Sequence, residues 1–198
     1  KSKEKRVTLI EYLKQEGFSE NINIGIVDVG WRARQQFSLS KILHHANIYP
    51  LNGIYGFYLS LMNPINPINK DKYYTFFDAE QDKDIIGYGG LYESFVAADH
   101  GSCISYKYCD ELVVPVLREE RNINMINWGL EIQHDSIELF SKKIVNSSIK
   151  YDIKFDDHKL FSKLILNKFL KSPSLIEAKV FGSIKMFEDQ DEKNAHFH

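Results

Sequence analysis

The chain has 198 residues, 43% of them hydrophobic and 13% aromatic, a composition that fills a core and excludes global disorder. Its 25 basic and 27 acidic residues leave a net charge of −2, which gives no footprint for nucleic acid or an anionic membrane surface. No run approaches the ~20 apolar residues that span a bilayer, and the basic start "KSKEKR" is not followed by the apolar region and cleavage site of a signal peptide.

A cytoplasmic protein is therefore expected. The two cysteines, Cys103 and Cys109, form no CxxC and have no second pair to build a zinc site. They read as buried, inert thiols in a reducing compartment. The first residue is Lys1 rather than Met, which keeps open a processed product or the C-terminal part of a longer protein.

In chain order, "VTLIEYLKQE" (7–16) places Leu9, Ile10 and Leu13 on one helical face, and Gly17 suits a C-terminal stop. "INIGIVDVG" (22–30) is rich in Ile and Val and bounded by Asn and Gly. It predicts a central parallel strand buried on both faces. "RQQFSLSKILHHA" (34–46) has helical spacing, and "GIYGFYLSLM" (53–62) predicts a second buried strand before the loop "NPINPINKDK". Strand, helix, strand is a βαβ unit, normally right-handed.

"YYTFFDA" (73–79) reads as a third strand and "IGYGGLYESFVAA" (86–98) as a helix weakened by glycine. "SCISYKY" and "ELVVPVL" are strand-like around a turn near Asp110, with Pro115 demoting the second to an edge or to no strand. Beyond Asn122 three segments carry helical periodicity, the third capped by Ser172 or Ser174. The expected fold class is α/β: a Rossmann-like, mainly parallel domain over 1–121, a helical extension over 122–190 and a disordered tail over 191–198.

The strand over 22–30 ends on chemistry. A parallel strand delivers its C-terminal residues to the sheet edge where open α/β folds bind ligands. Asp28 lies near that end, Gly30 supplies a turn, and Trp31 follows. The next helix is expected to begin near Arg32, turning its free N–H groups to the same crevice. Arg32 and Arg34 add cationic forks for phosphate or carboxylate. Gln35 and Gln36 both donate and accept. Equally, Asp28 fits as a helix cap or ion-pair partner, Trp31 as an anchor, and the arginines as solvated charges. The loop is neither GxGxxG nor a P-loop.

"YESFVAADHGSCISY" groups Glu93, Asp99, His100 and Ser102. A hydrolase site and a polar turn opening a strand compete here, with no GxSxG elbow to favour the former. The turn reading sets Gly101 at positive φ and has Asp99 bonding nearby backbone. His44-His45, adjacent on a helix, point about 100° apart and do not chelate one ion together. His134-Asp135 read as solvated. No metal site is expected. Tyr55, Phe57, Tyr58, Tyr73, Tyr74, Phe76 and Phe77 read as core, although a share of them facing a cleft suits a saccharide.

Taken in order, "VTLIEYLKQEGF", "IGIVDVGWRARQQFSLSKIL", "GIYGFYLSL", "GLYESFVAADHGSCISYKY" and "VVPVL" resemble the C-terminal region of predicted haloacid-dehalogenase-like hydrolases. Those proteins are often encoded among bacterial surface-polysaccharide and glycosyltransferase genes. The resemblance covers roughly residues 7 to 120 and, loosely, the helices beyond. Its pattern has a small turn such as Gly-Thr/Ser where Arg32-Ala33-Arg34 stands, and a glycine where Ser60 stands. It implies phosphoryl transfer by an Asp nucleophile in a DxDx[T/V] strand with Mg²⁺. No DxDx[T/V] occurs in the 198 residues, so an upstream domain would carry the nucleophile and the Mg²⁺, and no cofactor is expected in this chain.

The expected function is thus an accessory module for a small anionic or sugar-phosphate ligand, held by Asp28, Gly30, Trp31, Arg32, Arg34, Gln35 and Gln36. Its expected partner is an upstream haloacid-dehalogenase domain or a second copy. One alternative is a stand-alone hydrolase or glycosyl or phosphoryl transferase with Asp28, Glu93 and His100 as acid–base groups. The other is a non-catalytic interaction module working through the apolar faces of the helices beyond residue 122.

Overall fold

The computed structural model describes residues 2–187 and 195–197. In chain order the elements are α1 (Ser2–Gln15), β1 (Ile24–Trp31), α2 (Arg34–His45), β2 (Ile54–Leu61), β3 (Lys72–Thr75), α3 (Lys83–Ile86), α4 (Gly89–Phe95), β4 (Cys103–Cys109) and β5 (Leu112–Leu117). There follow α5 (Ile123–Trp128), α6 (Leu130–Tyr151), α7 (Phe155–Lys171), α8 (Leu175–Phe181), β6 (Lys185–Phe187) and β7 (Ala195–Phe197).

The fold is α/β, with a Rossmann-like parallel sheet and a helical C-terminal part. Contacts gather into two compact units made of alternating stretches, Lys1–Gln81 with Gly101–Glu120, and Asp82–His100 with Arg121–His198. This differs from a single break after residue 121: the segment 82–100 groups with the later helices.

In the first unit β1, β2 and β3 run parallel in the order β1-β2-β3, with Ile24 opposite Ile54 and Asp28 opposite Tyr58. β1 is therefore an edge strand, not the central strand that its apolar run predicts. Alternation sends Ile24 and Ile26 towards α2, while Val27 on the other face is 88% exposed. β2 is the middle strand, and its Ile54, Gly56, Tyr58 and Ser60 are all buried.

Leu13 of α1, Leu43 of α2, Ile24 and Ile54 form the core of this unit, with Leu9, Phe18 and Leu39 packed around it. Gly17, at φ 90, ends α1 as its position predicts, with its own N–H and that of Phe18 returning to the carbonyls of Lys14 and Leu13.

The hairpin β4–β5 is antiparallel and turns at Asp110, whose φ is 55. Pro115 is tolerated because a two-stranded ribbon consists of edges. The ribbon packs on α1 through a backbone mimic: Gln15 Nε2 donates to the Val113 carbonyl and its Oε1 accepts from the Val113 N–H. Cys103 and Cys109 are free and exposed on β4, not buried, because a ribbon covered on one side leaves the other to solvent. Gly101 does not take positive φ. It is small because a Cβ there would stand 2.8 Å from the Glu119 nitrogen, where the Gly101 N–H extends the hairpin by donating to the Glu119 carbonyl.

In the second unit the helix expected over 86–98 is the two short helices α3 and α4, broken between Gly87 and Gly89. The long periodic segment after Asn122 is likewise two helices. Gly129, at φ 117, separates α5 from α6. Met125, Leu130 and Ile184 are the buried core, joined by Ala97, Trp128 and Phe181. Phe95, Phe169 and Phe181 add an aromatic cluster, with Phe169 and Phe181 centroids 5.0 Å apart. Ser174, one of the two candidate caps, closes a full capping box with Glu177. Asn122 caps α5 by accepting from the Met125 N–H. Of the tail expected to be disordered, 191–194 and 198 lie outside the described residues, whereas Ala195–Phe197 pair antiparallel with β6.

Candidate functional site

The strand–turn–helix stretch from Asp28 to Gln36 lies wholly in the first unit. β1 runs on to Trp31, three residues past Asp28, and α2 starts at Arg34 rather than near Arg32. Between them the backbone is contorted. Gly30 has φ 127, Trp31 φ 72 and Ala33 φ 54. Left-handed backbone at a residue with a Cβ costs roughly 1–2 kcal/mol, so tertiary contacts hold the turn in place. The Met62 N–H donates to the Trp31 carbonyl at 2.6 Å, and Arg32 Nε donates to the Asn63 carbonyl at 3.3 Å. Gly30 is required by close approach as well: a Cβ there would sit 1.9 Å from the Ser60 carbonyl oxygen.

Ala33 is the N-cap of α2, and no side chain caps the helix. It is fully buried, packed with Tyr58, Leu61 and Tyr73. A left-handed residue followed at once by right-handed helix turns successive N–H groups into one concavity, an anion-binding geometry. The uncapped first turn of α2 adds its own donors and the positive end of its dipole. Arg32, Arg34 and Gln35 are exposed around this concavity. Two hydroxyls in the same corner, Ser60 Oγ and Tyr73 OH, are buried without a hydrogen-bond partner, and Ser60 is in register with Gly30.

Asp28 is half-buried on the α2 side of the sheet, and its Oδ1 accepts from the Gly30 N–H at 3.2 Å. The Tyr58 hydroxyl is held protonated well above its ordinary range by burial, and next by the Asp28 charge. Gln36 does not face solvent. It is fully buried, with Nε2 donating to the Ile54 carbonyl at 2.9 Å and Oε1 accepting from Tyr58 OH at 2.8 Å. A Cβ on Gly56 would collide with that same Oε1 at 2.1 Å. Gln36 thus ties α2 to β2 and offers nothing to a ligand.

Glu93 and His100 are exposed and belong to the second unit, Glu93 on α4 and His100 in the turn after it. His44 is occupied near the end of α2, stacked on Tyr49 with centroids 3.8 Å apart and hydrogen-bonded to Asn69 Nδ2 at 2.7 Å. His134 Nε2 lies 3.0 Å from the Ala97 carbonyl. The aromatic group divides: Phe77 and Tyr58 are core, while Phe57 and Tyr74 stack at 5.3 Å on the open face of the sheet, each nearly half exposed.

One chemically important residue escapes sequence reading. Asp71, 6% exposed, accepts from Ser40 Oγ at 2.5 Å, Tyr49 OH at 2.6 Å and the Ile54 N–H at 2.9 Å. With three donors around it, this carboxylate fastens the end of the 62–71 loop to α2 and β2. It sits where Ile54 begins β2, at the opposite end of the strands from Asp28.

Among the described residues no group of three or more His, Cys, Asp or Glu is placed to hold a metal ion. The magnesium implied by the resemblance finds no matching ligand set here, since "VDVGW" supplies one carboxylate and no second two places on. No helix among the described residues is long and apolar enough to cross a membrane. No protein-family model matches the chain, and no curated protein matches it.

Proposed function

We propose that this chain is the ligand-binding module of a haloacid-dehalogenase-like protein of surface-polysaccharide metabolism, working in the cytoplasm. It binds a phosphorylated or otherwise anionic sugar-type ligand at the end of β1 and the start of α2. The observation that carries the reading is left-handed Ala33, placed directly before an uncapped helix and flanked by exposed Arg32 and Arg34. Strained backbone persists where surrounding contacts fix it, and such positions cluster at binding sites.

The division of labour follows from the chemistry. The N–H groups at the start of α2 and the guanidinium forks take the phosphate or carboxylate oxygens. The Asp28 carboxylate accepts from sugar hydroxyls, because like charge keeps it away from the anion itself. The reading assigns binding, and no catalytic step, to this chain.

Isothermal titration with sugar phosphates and nucleotide sugars, beside the matching neutral sugars, tests it. Binding is expected for the anionic ligands and a loss of at least about tenfold in the Asp28→Ala, Arg34→Ala double variant, one tenfold being about 1.4 kcal/mol. Equal affinity in that variant, or for the neutral sugars, sinks the reading.

A further inference from the structure

Between α1 and α2 of the first unit lies a cavity of about 310 Å³, lined by Arg6, Ile10, Lys41, Ile42 and His45. Helical spacing builds it. Arg6 and Ile10 are four residues apart on α1, as are Lys41 and His45 on α2, so each helix turns one face to the cavity. His45 is the last residue of α2, which sets the cavity about 16 Å along the helix from Arg34 at its start. The volume is at the lower end of those that hold a small molecule.

The lining is cationic on an apolar floor. Arg6 Nη1 lies 3.3 Å from His45 Nε2. A guanidinium only donates, so Nε2 accepts and the imidazole carries its proton on Nδ1. Lys41 Nζ stands 4.4 Å from the centroid of the Phe37 ring on the same helix. Neither contact supplies a negative charge, and no acidic residue lines the cavity among the described residues. The helix dipole accounts for His45 at the end of α2. It does not account for Arg6, which comes from another helix. All three polar residues are exposed, so a solute reaches them from solvent, while Ile10 and Ile42 are half-buried beneath.

The ligand class follows from charge and floor together. Two permanent cations suit a dianion better than a monoanion, and a phosphate monoester carries about −1.5 to −2 at pH 7. Free phosphate leaves the two isoleucines wet, whereas an apolar ester group covers them. We propose that this cavity binds a phosphate monoester of an apolar organic group. The phosphate oxygens sit between Arg6, Lys41 and His45, and the organic group lies on Ile10 and Ile42. This is a second anion site, at the other end of α2 from the turn at Ala33, and it does not rest on the reading of that turn.

NMR of the intact chain, with isoleucine methyls and histidine rings resolved, tests this with phenyl phosphate. Saturating shifts are expected at the Ile10 and Ile42 methyls, where the phenyl ring lies, and at the His45 ring. Inorganic phosphate, followed at His45, is expected to bind at least about tenfold more weakly for want of an apolar group. Benzyl alcohol, which lacks the charge, is expected not to saturate these signals. The Arg6→Ala, Lys41→Ala variant changes two exposed positions and is expected to keep its helicity while losing at least about tenfold in phenyl phosphate affinity. Signals of Ile10, Ile42 and His45 that do not move with phenyl phosphate overturn the proposal. So does unchanged affinity in the variant, or equal affinity for inorganic phosphate or benzyl alcohol. The amides of Ala33, Arg34 and Gln35 report the other end of α2 in the same sample, so the two sites stand or fall separately.

Discussion

Two residues of the Asp28–Gln36 stretch, Gly30 and Gln36, separate what holds the fold from what meets a ligand. Gly30 combines positive φ with a carbonyl 1.9 Å from where a Cβ would lie. Gly30→Ala is expected to destabilise the first unit by about 2–4 kcal/mol, from backbone strain and overpacking together. Chemical denaturation measures it, and a cost below about 0.5 kcal/mol would mean that the turn is not held as described. Gln36→Leu tests the other half. It removes the acceptor of the buried Tyr58 hydroxyl and a donor to the Ile54 carbonyl, at a cost of about 1–3 kcal/mol. Anion affinity in the folded variant is expected to stay within about twofold of the parent, since Gln36 is walled off from solvent. A tenfold loss would return Gln36 to the binding site.

At the scale of elements, α3 is held to α7 by one well-buried ion pair. Lys163 Nζ lies 2.7 Å from Asp82 Oδ1, with the Asp82 side chain 6% and that of Lys163 27% exposed. Lys163→Met strips the cation from a carboxylate that solvent cannot reach. The expected loss is about 1–3 kcal/mol, below the full cost for a completely buried pair because Lys163 is partly solvated. Thermal denaturation of the variant reads this directly, and an unchanged midpoint would show the pair to be idle.

The elements also show what a sequence can carry. α1, α2 and the βαβ unit are legible because their apolar residues recur at the right period, and Ser174 because Glu177 completes a local box. Other features depend on the rest of the molecule. An Ile/Val run looks alike in a central strand and in an edge strand with one bare face, so Val27 misleads. Gly129 breaks a helix inside an unbroken periodicity. Alanine carries no signal for left-handed backbone, so the turn geometry at Ala33 is invisible until Ser60, Met62 and Asn63 close on it. Asp71 is one acid among the loop's Pro and Asn residues until Ser40, Tyr49 and Ile54 surround it.

Across the whole molecule, buried tyrosines set the alkaline limit. Burial raises Tyr92 to about 12, against an ordinary value of 10.0, with its hydroxyl donating to the Ile85 carbonyl. Tyr49, Tyr58 and Tyr73 are also shifted upwards, chiefly by burial. A folded-state pKa above the unfolded one adds stability that is complete below the unfolded value and is lost as pH rises through the folded value. The tyrosines' contribution to stability is therefore expected to be constant below about pH 10 and to fall towards about pH 12. Tyr92→Phe removes one titrating group and is expected to make that fall shallower, as followed by denaturation at stepped pH. An identical pH profile in the variant would refute the assignment.

The division into two units gives the binding reading a spatial signature, because every residue from Asp28 to Gln36 belongs to the first unit and Glu93 and His100 to the second. The most direct measurement is an amide-resolved NMR titration of the intact chain with a sugar phosphate. Shifts that saturate at the amides of Ala33, Arg34 and Gln35, weaken with added salt and leave the amides of Glu93 and His100 in the second unit unmoved are the predicted result. Saturating shifts that bypass those three amides, or no shifts with any sugar phosphate or nucleotide sugar, would contradict the account.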